Sequence, residues 1–103
     1  MAYKLEISAQ AEQQIDTCIR YIVDTLQNPS AAKAVLEDIA CAYEQLEERA
    51  ESLAFCEDPY LHAKGYRKLA LKQHDYVCIY RLEKKTVYLV GFFHMLENYR
   101  TKL

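Results

Sequence analysis

Glycine, proline and tryptophan are scarce in this sequence, whose 103 residues include two glycines, two prolines and no tryptophan. So little glycine and proline excludes a collagen-like or linker-like chain. No apolar run approaches the roughly 18 residues that a membrane-spanning helix needs, and residues 1–8 lack the apolar core of a signal peptide. The sequence therefore predicts a cytoplasmic protein without a membrane segment.

Cysteine spacing gives no sign of a metal site. The four cysteines are at least 15 residues apart, so the sequence contains no C-x-x-C pair. Zinc sites and thioredoxin-like motifs typically show such pairs. We therefore expect reduced thiols, no bound metal and no other cofactor.

Charge is divided unevenly along the chain, although the net charge is only −2. Residues 1–58 contain 4 Lys/Arg against 12 Asp/Glu, and residues 59–103 contain 9 Lys/Arg against 3 Asp/Glu. The basic half can face an anion, or the two halves can simply attract each other within one fold. The sequence supports both interpretations about equally.

Hydrophobic spacing divides the chain into a helical part and an extended part. In chain order, the predicted elements are a strand at 3–7, helices at 8–26 and 28–50, a loop at 52–65, strands at 66–72, 76–82 and 86–93, and a polar tail or short helix at 96–103. This order predicts one α+β domain over residues 1–103. Its antiparallel two-helix hairpin packs on one face of a sheet made by the N-terminal strand and a three-stranded antiparallel meander.

Apolar stripes on the two helices define the expected core between hairpin and sheet. The residues expected to be buried there are Ile15, Ile19, Ile22, Leu36, Ile39, Tyr43 and Leu46. The other face of the second helix is expected to lie in solvent, and it carries Glu37, Asp38, Glu44, Glu47, Glu48 and Glu51.

Both faces of the predicted meander are apolar. One face carries Val77, Ile79, Val87, Leu89 and Phe93, and the other carries Tyr76, Cys78, Tyr80, Tyr88, Val90 and Phe92. The helices can cover only one face, so the second is expected to form an apolar groove or a surface covered by another protein.

Four segments in order carry a resemblance to a known family. They are Asn28–Ala32 at the start of the second helix, Gly65–Leu69 at the entry to the meander, Asp75–Arg81 with a Y-x-x-x-Y strand, and Val87–His94 ending in a histidine. With the element order, they resemble the RelE/ParE superfamily of toxins from bacterial type II toxin–antitoxin (plasmid stabilisation) modules. The resemblance covers nearly the whole chain.

The resemblance implies a toxin that a cognate antitoxin silences, and it leaves two mechanisms open. RelE-like members cleave messenger RNA on the ribosome, whereas ParE-like members bind DNA gyrase without being enzymes. Cleavage is the first expectation, which would make the chain an endoribonuclease. Gyrase inhibition, or a degenerate protein that only binds its antitoxin, is the alternative.

Cleavage of the RelE type uses the 2′-hydroxyl of the substrate, so the site must move protons and stabilise an anionic phosphate. Histidine titrates near neutral pH, and the position of His94 resembles that of a catalytic histidine in RNA-cleaving members. Arginine forms bidentate hydrogen bonds with phosphate, and Tyr99 resembles a C-terminal tyrosine that contacts substrate. The catalytic candidates are therefore His94, Arg67, Arg81 and Tyr99, with Lys68 and Lys72 as substrate-binding candidates.

These candidates also have structural interpretations. His94 can be a hydrogen-bonding residue at a strand end, Arg81 can pair with Glu83, and the two lysines can form an ordinary solvated strand face. Tyr80 and Tyr88 are expected to pack against each other across the hairpin.

The chain also departs from the pattern of RNA-cleaving members. Val77 and Met95–Leu96 stand where those members commonly have arginine. His62 and His74 have no partner identifiable from the sequence, so both stay outside the predicted site.

Overall fold

A computed structural model describes residues 2–103 as a four-stranded mixed sheet with helices packed on it. The strand order is β1–β4–β3–β2, with β1 parallel to β4 and the other pairs antiparallel. The strands are β1 (Lys4–Ile7), β2 (Arg67–Ala70), β3 (Tyr76–Glu83) and β4 (Thr86–His94), and the helices are α1 (Ala9–Arg20), α2 (Pro29–Arg49) and α3 (Pro59–Ala63). The predicted α+β architecture is confirmed.

Local signals at the helix starts explain where the hairpin forms. The Ser8 hydroxyl accepts the Ala11 N–H at 3.0 Å, and the Asn28 side chain accepts the Ala31 N–H at 3.1 Å. Both side chains therefore cap a helix at its first turn, and Pro29 occupies a position where the missing N–H costs nothing. After Arg20, α1 continues as a wider π-helical turn over Tyr21–Thr25.

The hairpin core follows the predicted stripes in part. Ile22, Ile39 and Leu46 are buried, while Ile15, Ile19 and Tyr43 are only half-buried. The prediction for Leu36 is wrong, because its side chain is 47% exposed. On α2, the stripe that faces the sheet consists of Val35, Ile39, Ala42 and Leu46. Leu36 lies one residue, or about 100°, around the helix from that stripe.

A β-bulge interrupts the pairing of β3 with β4. Ile79 pairs with Gly91 and Tyr80 pairs with Leu89, so Val90 is an extra residue on β4. Gly91 is required beside the bulge, since a Cβ there would lie 2.3 Å from the Phe93 ring. The bulge therefore changes which face of the sheet the side chains in the first half of β4 lie on.

The predicted face assignment fails at this bulge. Val87 and Leu89 pack with Cys78 under the helices, instead of sharing a face with Val77 and Ile79. Val90 packs on the opposite side, although alternation grouped it with Cys78 and Phe92. A shift of one residue exchanges the faces of every side chain that follows it.

The second sheet face is not an open groove, because the chain covers it with its own residues. Cys56 and Leu61 are buried against Val77, Ile79 and Phe93, with Tyr99 and Leu103 of the C-terminal segment packed beside them. Leu61 belongs to α3, which the sequence analysis assigned to a loop. Asp58 caps this five-residue helix by accepting the N–H groups of Tyr60 and Leu61. A helix this short gives little periodic signal.

Tyr80 and Tyr88 do not pack against each other. Tyr80 is fully buried on the helix side, where its hydroxyl donates to the Ala50 carbonyl at 2.7 Å. Burial raises the pKa of this phenol. Tyr88 pairs with Arg81 on the opposite face, and the expected tyrosine pair is therefore wrong.

Ile39→Ala tests the hairpin core. Ile39 is 4% exposed, so truncation should lower the free energy of unfolding by about 2–5 kcal/mol through lost burial and a residual cavity. Leu36→Ala is the matched control on the same helix and should cost less than about 1 kcal/mol. Chemical denaturation of the three proteins measures both values, and equal losses would contradict the observed orientation of α2.

Candidate functional site

His94 ends β4 and lies in a cleft between α1 and the sheet. Its Nδ1 accepts the Leu96 N–H at 3.1 Å, and its backbone N–H donates to Glu97 Oε1 at 3.2 Å. The edge of its ring contacts Tyr76 on β3, with 5.5 Å between ring centroids. The imidazole is therefore half-buried and fixed in orientation.

The cleft has a volume of about 530 Å³ and two chemically different walls. The sheet wall is aromatic, with Tyr76 and Phe92 stacked at a centroid distance of 5.2 Å. The α1 wall is polar and uncharged, and it consists of Gln10, Gln13, Gln14 and Thr17. Gln14 Oε1 accepts the Phe92 N–H at 2.8 Å, which joins the two walls. We call this region the His94 cleft.

The charged side chains that line the His94 cleft are paired with each other. Lys102 forms an ion pair with Glu97, and its ammonium group lowers the pKa of that carboxyl. A hydrogen bond with Cys18, together with burial, raises the pKa of Tyr76 to about 12, so this phenol stays neutral at physiological pH. Among the cleft-lining residues, no lysine or arginine is left without an acidic partner.

Arg67 lies away from His94 and holds a loop in place. Its guanidinium donates to the carbonyls of Leu53 at 2.6 Å and Glu51 at 3.3 Å, and it stacks 3.9 Å above the Phe55 ring. Arg67 pairs with Tyr80, which is four residues, or about 13 Å, along β3 from the level of His94. The donors of Arg67 are therefore directed at the chain itself.

Arg81 is also remote from His94. It forms an ion pair with Glu83 and lies 4.4 Å from the centroid of the Tyr88 ring. His94 pairs with Tyr76, so Arg81 lies five residues farther along β3, about 17 Å away and on the opposite face. The structure thus does not bring His94, Arg67 and Arg81 into one concave surface.

The remaining candidates lie in three different places. Tyr99 stacks on Phe93 at 5.3 Å on the side covered by α3, and burial raises its pKa. Lys68 forms an ion pair with Glu57 at 3.5 Å. Lys72 is exposed in the turn between β2 and β3. None of the three lines the His94 cleft.

A buried carboxylate that the sequence analysis placed in solvent fastens the β2–β3 turn to α2. Asp38 is 7% exposed and accepts the N–H groups of Lys72 at 3.2 Å and Gln73 at 2.9 Å, as well as His74 Nδ1 at 2.9 Å. His74 therefore has a partner. A sequence signal was present, because Asp38 lies three residues after Val35, on the buried stripe.

Asp38 should make the protein sensitive to acid. Burial raises its pKa, but the hydrogen bonds from His74, Gln73 and Lys72 outweigh burial, so the pKa lies below the ordinary value. A carboxylate with a lowered pKa stabilises the fold above its unfolded-state pKa, and this stabilisation disappears as pH falls through the folded-state pKa.

The Asp38→Asn variant tests this contact. It should lower the free energy of unfolding by about 1–3 kcal/mol near neutral pH, because an amide cannot accept all three hydrogen bonds. The difference from the wild type should narrow as the pH falls below about 4. Denaturant titrations across this range measure it, with Glu48→Gln, an exposed carboxylate on the same helix, as control. A pH-independent difference would contradict the assignment.

A second surface lies between α1 and α2. Its apolar lining consists of Ile7, Ile15, Ile19, Leu36 and Tyr43, around a volume of about 300 Å³. Glu12 and Asp16 line the same groove, and Asp16 forms an ion pair with Arg20 at 3.1 Å. We call this surface the helix groove.

Two general properties of the described residues bear on function. Within residues 2–103, no helix is long and apolar enough to cross a membrane. The same residues contain no cluster of three or more His, Cys, Asp or Glu side chains that could hold a metal ion.

The fold is that of the RelE/ParE toxin superfamily. A family model described as "ParE toxin of type II toxin-antitoxin system, parDE" matches residues 5–99. Because this match covers most of the chain, the chain belongs to the ParE toxin family.

Solved structures show the same fold at low sequence identity. One, from "Chromosomal ParDE TA system from P. aeruginosa", has a TM-score of 0.73 and 21% identity, and the alignment covers 90% of this chain and 96% of that chain. A conserved hypothetical protein from Helicobacter pylori has a TM-score of 0.58 and 12% identity, with 92% and 97% covered. No curated protein sequence matches the chain.

Proposed function

We propose that this chain is the growth-inhibiting toxin of a parDE-type module, and that it acts in the cytoplasm by binding DNA gyrase rather than by cutting RNA. Membership of the ParE family supports the gyrase target. The single observation that carries the choice of mechanism is the separation of Arg67 and Arg81 from His94.

RNA cleavage would need cationic groups that the His94 cleft does not offer to a substrate. A transition state at phosphorus carries additional negative charge, which preorganised cationic donors must stabilise. In this cleft Lys102 forms an ion pair with Glu97. Arg67 and Arg81 lie outside the cleft, where Arg67 donates to the Leu53 carbonyl and Arg81 pairs with Glu83. A binding mechanism makes no such demand, because the toxin need only be complementary to the surface of its target.

RNA cleavage on the ribosome remains the second candidate, and one observation favours it. His94 lines a cleft and has its Nδ1 fixed by the Leu96 amide, as a positioned acid–base residue would. In that mechanism His94 would transfer the protons, Arg67 and Arg81 would stabilise the phosphate after rearrangement, Tyr99 would contact the substrate, and Lys68 and Lys72 would attract RNA.

The two mechanisms predict different results for Arg81→Ala. Under gyrase binding this variant should arrest bacterial growth as strongly as the wild type, because Arg81 is paired with Glu83 and Tyr88 and lies far from the His94 cleft. Under RNA cleavage, loss of a stabilising donor should lower the rate by about a hundredfold and relieve toxicity. Growth after induced expression measures the effect, with thermal unfolding as the control for folding.

Direct assays on the wild type decide between the mechanisms. We expect purified toxin to inhibit gyrase-catalysed supercoiling of relaxed plasmid and to leave transcripts intact in a translation reaction. Cleaved transcripts with uninhibited gyrase would reverse the proposal. Normal growth on expression without antitoxin would instead indicate a degenerate protein that only binds its antitoxin.

The cognate antitoxin is proposed to occupy the helix groove. The groove is apolar at its base and carries Glu12 and Asp16, and α2 adds further exposed carboxylates on its outer face. Charge complementarity therefore favours an amphipathic segment with basic residues, which would fold on binding. An open reading frame beside the gene for this chain is expected to encode it.

Leu36→Glu tests this docking site. Leu36 is 47% exposed in the groove, so the change should preserve the fold but weaken antitoxin binding at least about tenfold by adding charge to an apolar contact. Leu96→Glu, a change at an exposed leucine outside the groove, should leave the affinity unchanged. Calorimetry with the neighbouring gene product measures both. Equal affinities for the wild type and Leu36→Glu would place the antitoxin elsewhere.

A further inference from the structure

Three exposed apolar side chains belong to the segments that line the His94 cleft. Leu96 is 89% exposed, Tyr21 is 54% exposed and Met95 is 49% exposed. Tyr21 lines the cleft directly, and Met95 and Leu96 stand between the lining residues His94 and Glu97. Clustered apolar exposure of this kind marks a contact surface, whereas scattered exposed apolar residues are common and carry no such meaning.

The turn that presents Leu96 is held in shape. The Met95 N–H donates to the Asp75 carbonyl at 2.9 Å, the Leu96 N–H donates to His94 Nδ1 at 3.1 Å, and the Glu97 N–H donates to the His94 carbonyl at 3.0 Å. The side chain is therefore presented on an ordered backbone. Preorganisation lowers the entropy cost of binding a partner.

Charge in this region defines the kind of partner. The glutamine wall is neutral, Tyr76 is protonated, and the Lys102–Glu97 ion pair carries no net charge. The helix groove, by contrast, is lined by Glu12 together with Asp16, which is paired with Arg20, and further exposed carboxylates lie on α2. A partner segment with charged side chains would lose hydration here without gaining an ion pair, so charge complementarity selects an uncharged one.

We infer that the His94 cleft with its rim of Tyr21, Met95 and Leu96 is the surface that binds the toxin's target, and that it takes an uncharged, apolar segment of a protein. This inference rests on the proposed function, since it assumes that the target is a protein. Gln13, with the Gln10 oxygen and the Gln14 amide N–H groups that are not bonded to Lys102 or Phe92, would supply hydrogen bonds for the backbone of such a segment, while the aromatic wall and the rim contact its side chains.

Nucleic acid is a poorer occupant of the same surface. Binding of a phosphate backbone depends on lysine and arginine side chains that are free to replace counterions. Lys102 is the cation that lines the cleft, and it is bound to Glu97. The surface inferred for the target is separate from the helix groove proposed for the antitoxin.

Two matched variants separate the surfaces, each placing a glutamate on an exposed leucine. Leu96→Glu should raise the toxin concentration needed for half-inhibition of gyrase supercoiling at least about tenfold, and it should relieve growth arrest. Its affinity for the antitoxin should stay unchanged. Leu36→Glu should show the opposite pattern, with full inhibition of supercoiling and weakened antitoxin binding. Thermal unfolding confirms that both variants fold.

The possible failures are distinguishable. If the wild type inhibits gyrase and Leu96→Glu inhibits it equally well, this inference is wrong while the proposed function stands. If the wild type leaves gyrase active and cuts transcripts, both are wrong. If the wild type does neither but arrests growth, the same comparison is made on growth, and undiminished arrest by Leu96→Glu overturns the inference.

Discussion

The β-bulge at Val90 is the constraint on which the rest of this structure depends. It places Val87 and Leu89 on the helix side, where Phe92 also packs, while Val90 and Phe93 pack in the cluster on the other face. Gly91 lies beside the bulge, and a Cβ there would collide with the Phe93 ring. One of only two glycines in the chain is therefore committed to this position.

Covering both sheet faces from within the chain confines binding to the margins of the fold. The helices cover one face, and α3 with the C-terminal segment covers the other. Exposed apolar side chains lie along the hairpin, as at Leu36, at the end of β4, as at Leu96, and around α3, at Phe55 and Tyr60. Two separate binding surfaces would allow each surface to match the charge of its own partner.

The sequence was sufficient to predict the order of elements and part of the hairpin core, since these depend on local spacing. It could not locate the bulge, because Val90 is apolar and fits either face. The separation of Arg81 from His94 follows from the pairing of β3 with β4, in which Arg81 lies five residues from the Tyr76–His94 pair. The sequence predicts a solvent-exposed Asp38 from its charge, although its position three residues after Val35 puts it on the buried stripe of α2. The roles of the candidate site residues stay predictions.

Hydrogen–deuterium exchange of the toxin, measured alone and in complex with each partner, tests the central claim of two separate surfaces most directly. We predict that gyrase slows amide exchange at residues 94–98 and along the glutamine face of α1. The antitoxin should slow amide exchange around Leu36. Protection of the same residues by both partners would contradict this claim, as would gyrase protection confined to the helix groove.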